Sequence, residues 1–264
     1  MKKSLLYQSV SQLICLLALA AALYPLALMT QKSFGVNGIA NYRTVFDYYD
    51  LRPNFQTSLI VVTGTLLVVS LVVSMAAFAF SKLRFPFRKS IYYLLLTAMM
   101  IPTSAVLFPL YQIVRFLRLN NTGFSLVFPY ATGSSCFNLM VLKNYYDALP
   151  NELLDSARID GAGKWKTFFF IMLPIAKPGL VFVLMQTFLT SWNELQMGMI
   201  FINNTTRQPL SVVPLRFAQT TSATGFTVNH MFAACILCLL PIGIFYVFAS
   251  GYMVEGLTQG AVKG

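Results

Sequence analysis

The chain has 264 residues, of which 57% are hydrophobic and only 10% are charged, and its formal net charge is +11. Because about a quarter of the residues in a soluble globular domain are charged, this composition excludes that class and indicates an integral membrane protein. The positive charges are scattered over short polar segments, with no basic stripe and no interleaved aromatic residues, so no nucleic-acid partner is expected.

Long apolar runs predict an all-α, polytopic membrane protein with six transmembrane helices. They form a single transmembrane domain over residues 1–264, with spans expected at 13–30, 57–80, 90–113, 124–142, 179–201 and 231–250. The first run exceeds the roughly 7–15 residues of a signal-peptide core, so it is interpreted as an uncleaved span. The third run is interrupted by Pro102.

The distribution of Lys and Arg predicts how these spans are oriented. If the N-terminus is inside, twelve of the 19 basic residues fall in inner segments and seven in outer segments. Since Lys and Arg are in excess on the inner side of membrane proteins, both termini are expected to be cytoplasmic. The segment 81–89, with four positive charges, is then an inner turn, and so is the stretch between the fourth and fifth spans.

The fourth span carries polar residues that need an explanation. Ser134, Ser135 and Asn138 share one helical face. Polar side chains within a span either hold helices together or line a polar cavity. Both interpretations remain open for this face.

The stretch Pro150–Pro178 is charged although long apolar runs flank it, so it must lie in water between two spans. Its pattern predicts a helix, a sharp turn and a second helix. Pro150 suits the first helical position, and Gly161 suits the left-handed residue that ends a helix. The second helix is expected from about Lys164 to Leu173 and should stop at Pro174. A short amphipathic helix held in water needs a partner groove, whereas the alternative is a solvated loop with a charged face.

These residues resemble the EAA loop of ABC-importer permeases, in which E-A-A precedes a glycine and a closing I-x-L-P. Here Asp155-Ser156-Ala157 stands for E-A-A, departing from it at its first two positions, and the spacing to the glycine and to the closing residues is that of the motif. The wider run is similar to the carbohydrate-uptake branch, which is maltose-permease-G-like. The resemblance implies that an ATPase subunit docks on Glu152, Asp155, Ala157, Arg158, Asp160, Gly161, Ile171, Leu173 and Pro174.

The fifth span carries a second set of polar residues. Gln186, Thr187, Thr190, Asn193 and Glu194 fall at positions that form one stripe on a helix, and such a stripe is costly against lipid. We expect Gln186, Thr190, Asn193 and Glu194 to line a substrate path, for which the polar face of the fourth span supplies further candidates. The alternative for Glu194 is that its side chain reaches the outer membrane interface.

The chain lacks a phosphate-binding loop ending in Gly-Lys-Ser or Gly-Lys-Thr, so it is not expected to hydrolyse ATP. Cys235 and Cys238 have metal-like spacing but lie in an apolar run without further ligands, so neither a metal nor a cofactor is expected. The resemblance implies an importer of a mono- or oligosaccharide in a bacterial cytoplasmic membrane. Its partners would be a second homologous permease subunit, a dimer of ATPase subunits that bind ATP and Mg, and an extracellular sugar-binding protein. The alternative, a secondary transporter of a small polar solute, would require inverted repeats and broken helices. The sequence shows no repeat, and six spans are only half of the set that such a transporter needs.

Overall fold

The computed structural model describes residues 2–48, 50–218 and 225–261, with side chains at 9–48, 50–218 and 225–251. All regular elements in this part of the chain are helical, which confirms the predicted all-α class. The α-helices are α1 (Lys2–Phe34), α2 (Ala40–Tyr48), α3 (Arg52–Lys82), α4 (Arg88–Thr97), α5 (Thr103–Phe116), α6 (Phe124–Ala148), α7 (Glu152–Ile159), α8 (Lys164–Thr167), α9 (Leu173–Ile175), α10 (Lys177–Asn193), α11 (Gln196–Phe201), α12 (Val213–Ala218) and α13 (Val228–Ala261).

Four segments of the described chain are long and apolar enough to cross a membrane as single helices: Ser9–Phe34, Arg52–Lys82, Phe124–Ala148 and Val228–Gly251. Two bent pairs pass the same test together. Arg88–Met100 and Thr103–Phe116 meet at 100°, and Lys164–Ile175 and Lys177–Asn193 meet at 78°. The four single helices already make the chain a multi-pass membrane protein of the predicted class, and counting each bent pair as one span gives up to six.

Two of the expected spans are not continuous helices. In the third, the chain is extended at Ile101 and Pro102, because proline lacks the N–H that would continue the helical hydrogen bonds. In the fifth, α10 ends at Asn193, Glu194 is extended, and α11 starts two residues later. The prediction of one helix over residues 179–201 is therefore wrong. The last helix also continues well beyond its expected end at residue 250.

The chain divides into two compact units, residues 1–51 with 213–241 and residues 52–212 with 242–264. In the first unit, α2 is fixed to the end of α1 because the Asn41 amide donates to the carbonyls of Ser33 and Phe34, both at 2.9 Å. The single transmembrane domain over residues 1–264 stays a prediction.

The second unit is built on α3, α6 and α10, which pack against one another. The helices approach closely where side chains are small, so that a Cβ atom on Gly179 of α10 would lie 2.7 Å from the Tyr145 ring of α6. A buried apolar cluster fills the space between these helices and extends into the stretch between α6 and α10. Its members include Val69, Val73, Phe78, Leu139, Leu142, Tyr146, Leu154, Phe168, Met172 and Val183.

Candidate coupling helix and polar stripe

Helix α7 presents one face to the core and the other to solvent. Leu154 and Ala157 are buried, while Ile159 at its end is 86% exposed. The helix begins at Glu152 after Asn151, two residues later than the expected start at Pro150. Arg158 and Asp155 form an ion pair at 2.9 Å, but both side chains are about two-thirds exposed, so the pair contributes little stability. The amphipathic pattern predicted for this helix is confirmed.

The turn after α7 has the conformation that the sequence predicts. Gly161 has a φ of +73°, in the left-handed region that favours glycine. Its N–H donates to the carbonyl of Arg158 at 3.0 Å, and the Ala162 N–H donates to the carbonyl of Ala157 at 2.9 Å. This pair of bonds is a Schellman motif, which satisfies carbonyls at the end of the helix and fixes the direction in which the chain leaves it.

The second arm of the stretch is anchored by aromatic packing. Phe168 is buried, and its ring centroid lies 5.3 Å from that of Phe78 on α3. Residues Phe168–Met172 form a turn of π-helix just before Pro174, which cannot donate a backbone hydrogen bond. The wider π-helical turn precedes the proline, and the helix continues through Pro174 to Ile175. The predicted stop at Pro174 is corrected accordingly. Of the closing motif residues, Ile171 and Leu173 are half-buried and Pro174 is exposed.

Lys82, at the end of α3, fixes the start of α7. Its Nζ donates to the carbonyl of Leu149 at 2.7 Å and to Oδ1 of Asn151 at 2.9 Å. The neighbouring Ser81 hydroxyl donates to the Asp147 carboxylate at 2.6 Å. The sequence indicated only that Lys82 is one of several charges in an inner turn. Its contacts join residues that are 67 and 69 positions apart, and no local pattern signals such a pairing.

We expect Lys82→Met to loosen the start of α7 without unfolding the protein. The substitution keeps the aliphatic stem but removes the ammonium group, and a hydrogen bond to a charged group contributes roughly 1.5–3 kcal/mol. Amide exchange at Leu154 and Asp155, whose N–H groups both donate to Asn151, should therefore accelerate about tenfold or more. Lys89→Met, a charge loss at an exposed position of the same turn, is the control. Equal exchange in both variants would show that Lys82 does not fix α7.

The polar residues of α10 differ in their surroundings. Thr190 and Asn193 are exposed and Gln186 is half-buried. The Thr190 hydroxyl donates to the carbonyl of Gln186 at 3.0 Å, and the Asn193 amide donates to the carbonyl of Leu189 at 2.9 Å. Each amide and hydroxyl keeps accepting capacity, so these three residues form a polar face on α10 that is exposed at Thr190 and Asn193 and half-buried at Gln186.

The polar face of α6 is engaged differently. Asn138 is fully buried, and its amide donates to the Thr187 hydroxyl of α10 at 2.8 Å. Ser134 and Ser135 are half-buried, and their hydroxyls donate to backbone carbonyls of the preceding turn. The contact between Asn138 and Thr187 favours helix association over a path-lining position for Asn138. A path-lining role for the two serines stays a prediction.

Glu194 lies in the break between α10 and α11, not on a continuous stripe. Its carboxylate accepts the Tyr130 hydroxyl at 2.5 Å, the Met197 N–H at 2.9 Å and the Gly198 N–H at 3.3 Å. A carboxylate at the start of a helix satisfies N–H groups that have no partner within the helix. The sequence did not indicate Tyr130, because a tyrosine in an apolar run is an ordinary packing residue.

The described structure is thus that of a polytopic membrane protein, in which packed spans carry a short helix–turn–helix at one end and a polar face along one helix. Residues 69–259 match the family described as binding-protein-dependent transport system inner membrane component, and the chain belongs to this family. The family is one of transport permeases and not of catalysts. The matched range includes the α7 stretch and both polar faces.

Individual relatives agree with this assignment. The diacetylchitobiose uptake permease NgcG of Streptomyces coelicolor is 28% identical and aligns over 84% of this chain and 74% of its own length. The trehalose transport permease SugB of Mycobacterium tuberculosis is 30% identical over 85% of this chain and 81% of its own. A solved bacterial ABC transporter that imports alginate superposes with a TM-score of 0.81 over 96% of this chain and 98% of that chain, at 17% identity. The resemblance to ABC-importer permeases is therefore confirmed.

Proposed function

We propose that this chain forms half of the translocation pathway of an ATP-driven importer that takes up a mono- or oligosaccharide across a bacterial cytoplasmic membrane. The relatives named for diacetylchitobiose and trehalose transport support a sugar as the substrate. The neutral amides and hydroxyls on α10 suit such a ligand, because a sugar offers many hydroxyl groups and no charge.

The observation that carries this proposal is the exposed helix–turn–helix of residues 152–175. One side of it is packed into the core, whereas Ile159 and Trp165 on the other side are 86% and 64% exposed. An amphipathic helix that leaves apolar side chains in water fits a groove on a partner protein. We assign that groove to a cytoplasmic ATPase subunit, which binds the ATP and Mg. Closure of the ATPase dimer on nucleotide would then move the spans as a rigid body.

The proposed assembly has further members. A second homologous permease completes the pathway as a heterodimer with this chain, two ATPase subunits lie in the cytoplasm, and an extracellular binding protein delivers the sugar. Both termini are cytoplasmic in this arrangement, as the excess of Lys and Arg on that side favours.

Uptake of a panel of labelled sugars, in a strain that lacks this gene and in the same strain complemented with it, tests the proposal. We expect uptake of one sugar to be lost and restored, and to stop when ATP is depleted while the membrane potential is kept. Uptake that instead survives ATP depletion but stops when the proton gradient is collapsed would identify a secondary transporter and overturn the proposal.

The exposed polar face of α10 gives a separate prediction. We expect a cysteine at Thr190 or Asn193, in a chain whose four native cysteines are replaced by alanine, to react with a water-soluble thiol reagent at a rate that changes with nucleotide. The reason is that a path-lining face meets water in only some states of the transport cycle. A cysteine at Leu67, on the apolar surface of α3, is the control and should stay unreactive. Inertness of positions 190 and 193 in every state would place this face against protein.

A further inference from the structure

The turn between α3 and α4 forms a basic recess. Its volume is about 320 Å³, and its lining residues are Arg84, Phe85, Phe87, Arg88, Lys89 and Ser90. Three of the six are cations and none is acidic. Because α3 and α4 are both apolar and belong to expected spans, this turn lies where the hydrocarbon of the membrane meets water.

The cations of this recess are available to a ligand. Arg84 and Lys89 are exposed, and neither has a hydrogen bond or ion pair to a described residue. Arg88 is held in place, since its Nη1 donates to the carbonyl of Leu83 at 2.8 Å. Asp147, the carboxylate bonded to Ser81 in the same region, already accepts from Lys143. The positive charge of the recess is therefore not neutralised by a described carboxylate.

Phe87 adds an apolar element to the recess. Its backbone has a φ of +58°, a left-handed conformation that costs an L residue roughly 1–2 kcal/mol, and its side chain is 77% exposed. The turn thus holds an aromatic ring outward beside three cations. A Phe side chain beside basic residues is typical of segments that lie at the membrane interface, where the ring is buried at the boundary of headgroups and acyl chains.

We propose that this recess binds the phosphate of an anionic phospholipid. Arg84 and Lys89 bind the phosphate oxygens, Arg88 contributes its remaining N–H groups, and Phe87 packs against the glycerol and the first methylenes of the acyl chains. Basic pockets beside membrane spans recognise anionic headgroups in this way, and charge-assisted bonds to phosphate are among the strongest hydrogen bonds in proteins. This site is independent of the substrate that the pathway carries.

The test measures lipid retention by native mass spectrometry of the full chain, with any subunits that remain bound, released from nanodiscs that hold equal amounts of phosphatidylglycerol and phosphatidylcholine. The wild-type chain should retain phosphatidylglycerol preferentially. R84Q/K89Q should weaken that retention about tenfold or more, since each basic group near an anionic surface contributes a factor of about five. R84K/K89R, which keeps both charges, should bind as the wild type does.

The matched control is R115Q/R118Q, which removes two exposed positive charges at the other end of the α4–α5 pair. It should leave retention unchanged. Equal retention by R84Q/K89Q and the wild type, or an equal loss in R115Q/R118Q, would overturn the proposal. Unchanged retention in Phe87→Ala, with inorganic phosphate displacing the lipid equally well from this variant and from the wild type, would also overturn it, because the recess would then bind phosphate without a contribution from Phe87.

Discussion

Gly161→Val should sharply reduce sugar uptake while the protein still inserts into the membrane. Gly161 has a φ of +73°, and a β-branched residue cannot adopt that conformation without strain of about 1–3 kcal/mol. The chain would relieve the strain by giving up the Schellman bonds, which would redirect α7 relative to the core. Since about 1.4 kcal/mol corresponds to a factor of ten in a population, this strain lowers the docking-competent population roughly 5- to 150-fold, and we expect uptake to fall by a similar factor. Co-purification of the ATPase subunit should fall with it.

Gly163→Val is the matched control for this prediction. A Cβ atom at either glycine would meet open space, so neither substitution causes a clash. Gly163, however, has a φ of −67° and a ψ of 165°, which valine adopts readily. The two variants thus add the same side chain two residues apart and differ in backbone strain. If both variants transport sugar and co-purify the ATPase like the wild type, the direction of α7 does not determine docking.

The α7 stretch was predictable because its features are local. Helix amphipathicity, the glycine that ends a helix and the spacing of the motif all depend on residues within a few positions of one another. The all-α class and the number of apolar runs were predictable for the same reason, since hydropathy is a local property. The prediction for Gly161 therefore agrees with the structure in both position and conformation.

Features that depend on distant contacts were not predictable. The hydrogen bonds of Lys82 to Leu149 and Asn151 join α3 to the start of α7 across more than sixty residues, so they exist only once the helices pack. The break at Glu194 was missed because the periodicity of Gln186, Thr190 and Asn193 continues through it. Helical spacing predicts which residues share a face of a helix. It does not show where the helix ends when the end is set by a hydrogen bond to another helix, as Glu194 forms with Tyr130.

The break between α10 and α11 is stabilised by the hydrogen bonds of one carboxylate. Glu194 accepts hydrogen bonds from Tyr130 on α6 and from the N–H groups of Met197 and Gly198 at the start of α11. Its own carbonyl accepts the Ser211 hydroxyl at 2.7 Å. The residue therefore joins α6, the end of α10, α11 and the segment that follows α11. Its removal should have a larger effect on stability than the loss of any polar side chain of α10.

Glu194→Leu should lower the thermal unfolding temperature clearly, whereas Glu194→Gln should lower it little. Leucine leaves three donors without an acceptor, and each donor orphaned in a buried site costs about 1–3 kcal/mol. Glutamine keeps an acceptor oxygen in nearly the same place, although it loses the charge that favours the start of a helix.

Tyr130→Phe removes one donor and should cost less stability than Glu194→Leu. The double variant Tyr130→Phe/Glu194→Leu should be more stable than the sum of the two single losses predicts, because the orphaned donor of Tyr130 is then absent. The measurement is thermal unfolding in nanodiscs, in which unfolding is detected by limited proteolysis within residues 202–212. Equal unfolding temperatures for Glu194→Leu and Glu194→Gln, together with lost uptake in both, would show that Glu194 acts in transport through its charge and not by holding the helix break together.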